Sequence, residues 1–290
     1  MVLPIILGIF GLFIGSFLNL LIDRWYKGEQ VSRGRSKCDS CGHVLGFFDL
    51  IPLLSFLFLR GKCRYCKKSI SWINPVVEVV LAAGFAIIGL AFASEIFNFQ
   101  LLTLGFLYWS VVYCLLVITF FGDIKYGVIY NEVIAIGIIV VFLYWLIGGI
   151  WEIKEMREML IKEELGRALM EIGYLKDKAL FMVKGRLFDL AGAFGAFGFF
   201  YFLRAWFKGR ALGGGDVKLA FLIGLITGFP NVLVALFFGF LTGAFVGVIL
   251  LVTGRKGLKS RIAFGPFLVF GTIIGFVFGS QIINWYLGLL

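Results

Sequence analysis

Two aspartates in this 290-residue chain share one short context. Asp123 closes an apolar run in Phe121-Gly122-Asp123-Ile124-Lys125, and Asp216 opens another in Gly213-Gly214-Gly215-Asp216-Val217-Lys218, so each stands in Gly-Asp-x-Lys. An acid at the margin of an apolar run is costly to bury and reads first as functional. Two carboxylates sharing such a site repel when both are ionised. One then keeps a proton and polarises a carbonyl while the other activates water against the amide, which is aspartyl protease chemistry. Gly213 and Gly215 leave room for an extended chain beside Asp216. Taken singly, either aspartate also fits a helix cap. Lys125 and Lys218 read as interfacial anchors whose ammonium groups snorkel to the headgroups. Glu78 and Asp189 also lie near the ends of apolar runs, with Glu78 placed to face a polar cavity.

A second cluster is cysteine-based. Cys38-Asp39-Ser40-Cys41 and Cys63-Arg64-Tyr65-Cys66 are two C-x-x-C pairs 21 residues apart. Two thiolates from one tight turn take adjacent positions on a tetrahedral ion and the second pair closes the site, so the spacing points to structural zinc. Two disulfides or a redox pair are the other readings, and a cytoplasmic location disfavours them. Four thiolates leave no open position for water, so such an ion folds the segment. His43, the single histidine, reads as a surface residue, and Cys114 as packing within an apolar helix.

The elements that must position these groups are membrane spans. The chain is 61% hydrophobic and 15% charged with a mean hydropathy of +1.00, against about 45–50% apolar and about 25% charged for soluble domains. Eight apolar runs stand out: Val2 to Ile22, Pro75 to Ser94, Leu101 to Phe121, Val128 to Ile150, Leu187 to Leu203, Leu212 to Phe229, Val232 to Val252 and Ile262 to Leu287. The net charge of +10 is confined to short stretches between them and forms no continuous basic face, which argues against nucleic acid as a partner. Ten of the 27 Lys and Arg residues lie between Arg24 and Lys68, while Ser94 to Gln100 and Gly228 to Asn231 carry none. The positive-inside rule therefore puts the four-cysteine segment, Asp123 and Asp216 on the cytoplasmic side and both termini outside.

The fold class expected is an all-α membrane protein of about eight transmembrane helices with a small cytoplasmic zinc-ribbon-like insert. Its parts are a first helix (1–22), the four-cysteine insert (23–74) and a seven-helix domain (75–290). The insert carries a net charge of +6, suited to anionic headgroups. Within the last part, Trp151 to Arg186 holds eight basic and seven acidic residues with apolar positions every three to five. It reads as an amphipathic helix on the outer leaflet.

These residues resemble the bacterial type IV prepilin peptidases, the leader peptidase/N-methyltransferases. Gly15-Ser16-Phe17-Leu18-Asn19 is similar to the family's opening motif. Arg35-Ser36-x-Cys38-x-x-Cys41, Ile51-Pro52-Leu53-Leu54-Ser55 and Arg60-Gly61-Lys62-Cys63-Arg64-Tyr65-Cys66 follow its metal-binding loop, and Pro75 through Glu78 continue it. Gly213 to Leu219 resembles its second aspartate site, and Phe264-Gly265-Pro266-Phe267 its last span. The resemblance implies Asp123 and Asp216 as catalytic residues, Cys38, Cys41, Cys63 and Cys66 as zinc ligands, and residence in the bacterial inner membrane with the active site at the cytoplasmic face. It also implies cleavage of the basic leader of pilin-like precursors and N-methylation of the new terminus from S-adenosylmethionine. Two departures are visible: Ile129-Tyr130-Asn131 lacks the family's proline, and the stretch 151–186 is longer than the family leads one to expect. Two alternatives stay open, a peptidase without methyl transfer and a transporter using paired acids. A non-catalytic assembly protein is a third.

Overall fold

The computed structural model describes residues 2–31, 34–92, 101–162, 164–209, 212–254, 257 and 262–289. The expected loop Ser94 to Gln100, most of the basic loop Arg255 to Arg261, and Glu163 lie outside the described residues. The described chain is helical, apart from two isolated antiparallel bridges in the cysteine segment. It divides into two units, residues 1–126 and 127–290, each with its own packing.

In the first unit, α1 (Val2–Lys27) lies along α3 (Ile73–Phe92), and α4 (Leu101–Tyr126) packs on both. Glycines set the α1–α3 spacing. A Cβ at Gly11 would stand 2.7 Å from the Leu81 carbonyl, and one at Gly15 would stand 2.6 Å from the Glu78 Cα, so the two backbones touch at these positions. Tyr113 fixes α4 by donating its hydroxyl proton to the Val80 carbonyl at 2.6 Å. Between α1 and α3 the chain leaves the apolar pattern and forms the two cysteine turns, a short 3-10 turn at Phe47–Asp49 and the small helix α2 (Leu54–Phe58). Arg24 bends the exit from α1 by donating to the Val31 and Gly34 carbonyls, each at 2.8 Å.

The second unit contains α5 (Asn131–Lys162), α6 (Glu164–Glu171), α7 (Tyr174–Trp206), α8 (Gly214–Thr227), α9 (Asn231–Val252) and α10 (Gly265–Leu287). Helices α1, α3, α4, α5, α7, α9 and α10 are long and apolar enough to cross a membrane, seven among the described residues. The remaining apolar run, Leu212 to Phe229, forms the 14-residue α8. At 1.5 Å per residue it is about 21 Å long, against about 30 Å for a hydrocarbon core. It is buried from Asp216 to Thr227 apart from Lys218 and Phe221 and packs against α5, α7, α9 and α10, so it is the centre of its unit. Gly228, with φ +70°, ends it, and the Asp189 carboxylate accepts the Phe229 N–H at 3.0 Å just beyond.

The charged stretch Trp151 to Arg186 is not a separate surface helix. No Gly or Pro interrupts residues 151–165, and α5 runs straight on to Lys162. Gly173, at φ +86°, then turns the chain into α7, which begins twelve residues before Arg186. The stretch is thus the far turns of two long helices joined by α6. Lys178 pairs with Glu152 at 3.8 Å to tie the two helices together.

Candidate active site and metal centre

The two cysteine turns are built alike, 25 residues apart. The Cys38 N–H donates to the His43 carbonyl at 2.9 Å and the Gly42 N–H to the Cys38 carbonyl at 2.8 Å. In the second turn the Cys63 N–H donates to the Lys68 carbonyl at 2.9 Å and the Lys67 N–H to the Cys63 carbonyl at 3.0 Å. Flanking bonds match too, Leu45 to Ser36 and Ile70 to Gly61, each 2.8 Å. The residue after each second cysteine takes a left-handed conformation, Gly42 at φ +70° and Lys67 at φ +58°. His43 stacks on Tyr65 with ring centroids 3.7 Å apart, joining one turn to the other.

This repetition brings four sulfurs together. The Sγ atoms of Cys38, Cys41, Cys63 and Cys66 all lie within 4.8 Å of one another, and Cys38 and Cys66 are 3.9 Å apart. Zn–S bonds of about 2.3 Å in a tetrahedron require S···S edges of about 3.8 Å, whereas a disulfide needs about 2.05 Å. The cluster has the dimensions of a metal cage. Its thiols are unequal: Cys63 is lowered to about 7 by the N–H groups of Cys66 and Tyr65. At Cys41 the His43 N–H acts to lower the thiol, but lost hydration and the neighbouring Cys38 and Cys66 outweigh it and push Cys41 up to about 11.

Asp123 is buried one turn before the end of α4, in the first unit. Two residues on, Lys125 is not the snorkelling anchor expected from the sequence. Its side chain is only 9% exposed, and it donates to Asp23 Oδ1 and to Asn74 Oδ1, each at 3.0 Å. Tyr126 donates to the same Asp23 oxygen at 2.9 Å while stacking on Tyr26, and Asn19 Nδ2 donates to the Asn74 carbonyl at 2.9 Å. The ends of α1, α3 and α4 are therefore tied by one polar network beside Asp123. Asp23 and Asn74 escaped the sequence reading; an acid closing the first apolar run was the available signal.

Glu78, which had no nameable partner in the sequence, is the meeting point of three motifs. Its Oε2 accepts the Leu53 N–H at 2.7 Å, its carboxylate is hydrogen-bonded by Ser16, and Gly15 packs on its Cα. Leu53 sits at φ +58°, a strained placement for a leucine that aims its N–H at the carboxylate.

In the second unit Asp216 is buried in the first turn of α8, and its Oδ2 accepts the Gly213 N–H at 2.9 Å, so the carboxylate caps the helix. Gly215 is required by packing: a Cβ there would lie 2.9 Å from the Ile129 Cβ. Lys218 is exposed and donates to Asn131 Oδ1 at 2.7 Å, linking the second aspartate motif to the residue that ends Ile129-Tyr130-Asn131. Asp189 accepts the Phe229 N–H just beyond α8 and pairs with Arg186 at 3.8 Å. Cys114 lies partly covered within α4.

The chain is similar to known proteins along nearly its whole length. Residues 9–92 match the family model described as Bacterial Peptidase A24 N-terminal domain. The chain is 30% identical over 283 residues to a prepilin leader peptidase/N-methyltransferase of Bacillus subtilis (strain 168), covering 97% of each chain. It is 30% identical over 259 residues to a protein of the same name from Myxococcus xanthus (strain DK1622), covering 89% of this chain and 66% of that one. The corresponding figures for the Aeromonas hydrophila protein are 26% over 311 residues, 96% and 92%. No solved structure gives a significant match. A likeness of 30% identity that covers 97% of both chains makes this chain a member of the prepilin leader peptidase/N-methyltransferase family.

Proposed function

We propose that this chain is a membrane aspartic endopeptidase that removes the leader of prepilin-like precursors at the cytoplasmic membrane face and methylates the newly exposed amine. The observation that carries the reading is the nearly full-length likeness to relatives named for both activities. It is supported by two buried aspartates at helix ends, each in Gly-Asp-x-Lys.

In this reading Asp123 and Asp216 act as one dyad. One carboxylate takes a proton from water as the water oxygen attacks the scissile carbonyl carbon. The other, protonated, donates to the carbonyl oxygen. Collapse of the tetrahedral intermediate returns a proton to the leaving amine. The network around Lys125 positions the end of α4 that carries Asp123, and the cap on Gly213 positions Asp216. The precursor's apolar segment stays in the bilayer, so only its leader needs to reach the carboxylates.

Cys38, Cys41, Cys63 and Cys66 would hold zinc, and their sulfur spacing fits that ion. Held by four protein thiolates, the ion would supply folding energy to the insert, with no open position for Lewis-acid chemistry. S-adenosylmethionine would supply the methyl group.

The test is incubation of a prepilin with purified chain in detergent, followed by intact mass measurement. Loss of the leader, with one added methyl when S-adenosylmethionine is present, is expected. An uncleaved precursor with zinc-loaded protein would overturn the reading.

A further inference from the structure

This inference rests on the methyl-transfer half of that reading. A cavity of about 810 Å³ opens within the first unit, walled by the cysteine insert and by the ends of α1, α3 and α4. Its volume falls in the range of small-molecule sites, about 300–1,000 Å³. Two buried groups on its wall are incompletely answered by the protein. Glu78 is 8% exposed, and its partners are neutral donors, the Leu53 N–H and the Ser16 hydroxyl. Asn19 is 6% exposed; its Nδ2 is used by the Asn74 carbonyl, but its Oδ1 is buried with no donor. A buried carboxylate facing only neutral donors favours a cation, and a buried acceptor without a donor favours an N–H. Phe17 and Tyr126 add aromatic faces to the same wall.

A sulfonium nucleoside offers that combination. Its cationic sulfur carries no hydrogen to donate, so it is recognised by a carboxylate and by aromatic faces. Its base and amino group carry N–H donors. We propose that this cavity is the S-adenosylmethionine site, with Glu78 facing the sulfonium and Asn19 Oδ1 accepting an N–H from the ligand. The motifs that converge here, Gly15 to Asn19, Ile51 to Ser55 and Pro75 to Glu78, then serve methyl-donor binding, while the aspartates serve hydrolysis.

The experiment compares S-adenosylmethionine with S-adenosylhomocysteine, whose sulfur is neutral, by isothermal titration of the full zinc-loaded chain in detergent. Glu78→Gln should weaken the sulfonium ligand by about tenfold or more and the thioether by only about twofold, because the lost charge acts on the sulfur. Photolabelling with 8-azido-S-adenosylmethionine should mark peptides from residues 13–78 or 124–126. Unchanged binding of both ligands to Glu78→Gln, equal weakening of both, or label confined to residues 127–290 would each overturn the site. Those results in a chain that cleaves and methylates a prepilin refute the site alone, whereas absence of both activities refutes the functional reading beneath it.

Discussion

Lys125 reaches back across 102 residues to donate to Asp23 at 3.0 Å, from a position two residues beyond Asp123. The contact joins the end of α4 to the end of α1. Removing one member of a buried pair leaves the other charge uncompensated, which costs about 3–5 kcal/mol in a fully buried case and less here, where Asp23 is 24% exposed. Lys125→Met should therefore lower both thermal stability and leader cleavage. Asp23→Asn should cost a comparable amount, since Asn keeps an acceptor oxygen but leaves the more buried Lys125 ammonium without its counter-charge. The double variant should fall short of the sum by about 0.5–3 kcal/mol in a denaturation cycle. Strict additivity would remove the pair from the account.

The repeated cysteine turns make a paired prediction about backbone strain. Gly42 and Lys67 occupy equivalent left-handed positions, and nothing lies within 4 Å of a Cβ built on Gly42. The cost of a side chain there is thus the conformation itself, about 1 kcal/mol. Gly42→Ala should loosen metal binding by several-fold, and Lys67→Gly should tighten it by a similar factor. Chelator competition measures both; effects of the same sign would contradict the equivalence of the turns.

Metal affinity should rise with pH. The ion binds thiolates, so a thiol protonated in the metal-free protein must give up its proton, and Cys41, at about 11, is protonated throughout the neutral range. Cys63, at about 7, is already partly ionised there. Binding near neutrality therefore releases at least one proton, and the apparent affinity should increase by about tenfold or more per pH unit between pH 6 and pH 8. A flat profile would mean that the thiols are not the ligands.

The far turns of α5 and α7 invite a topological test. With eight spans alternating from the cytoplasmic cysteine segment, residues 151–186 are expected on the outer side, and their basic and acidic groups are nearly balanced. A cysteine introduced as Glu164→Cys should react with a membrane-impermeant reagent applied to intact cells. Protection that disappears on lysis would put this stretch on the cytoplasmic side.

The parts of the fold that depend on local pattern were readable from the chain. Seven apolar runs became long helices because length and hydropathy decide a span, and the two C-x-x-C pairs became a cage because each turn is local. Other features depend on partners distant in sequence. Lys125 looked like an anchor because its acid is 102 residues away. The stretch 151–186 shows the same apolar period whether a helix lies on a surface or extends from a span, so the pattern did not distinguish them. The 14-residue α8 is enclosed by other helices, and hydropathy does not distinguish such a shell from lipid. Glu78 was visible as an acid near a span edge, but its Leu53 and Ser16 partners needed the folded insert.

The central claim is that Asp123 and Asp216 act as one hydrolytic unit. Its most direct test is prepilin cleavage by Asp123→Asn, Asp216→Asn and the double variant, each purified in the presence of zinc and read by intact mass. Residues that act together are not additive, so each single variant should abolish leader removal and the double should be no worse. Turnover retained in either single variant would contradict the dyad.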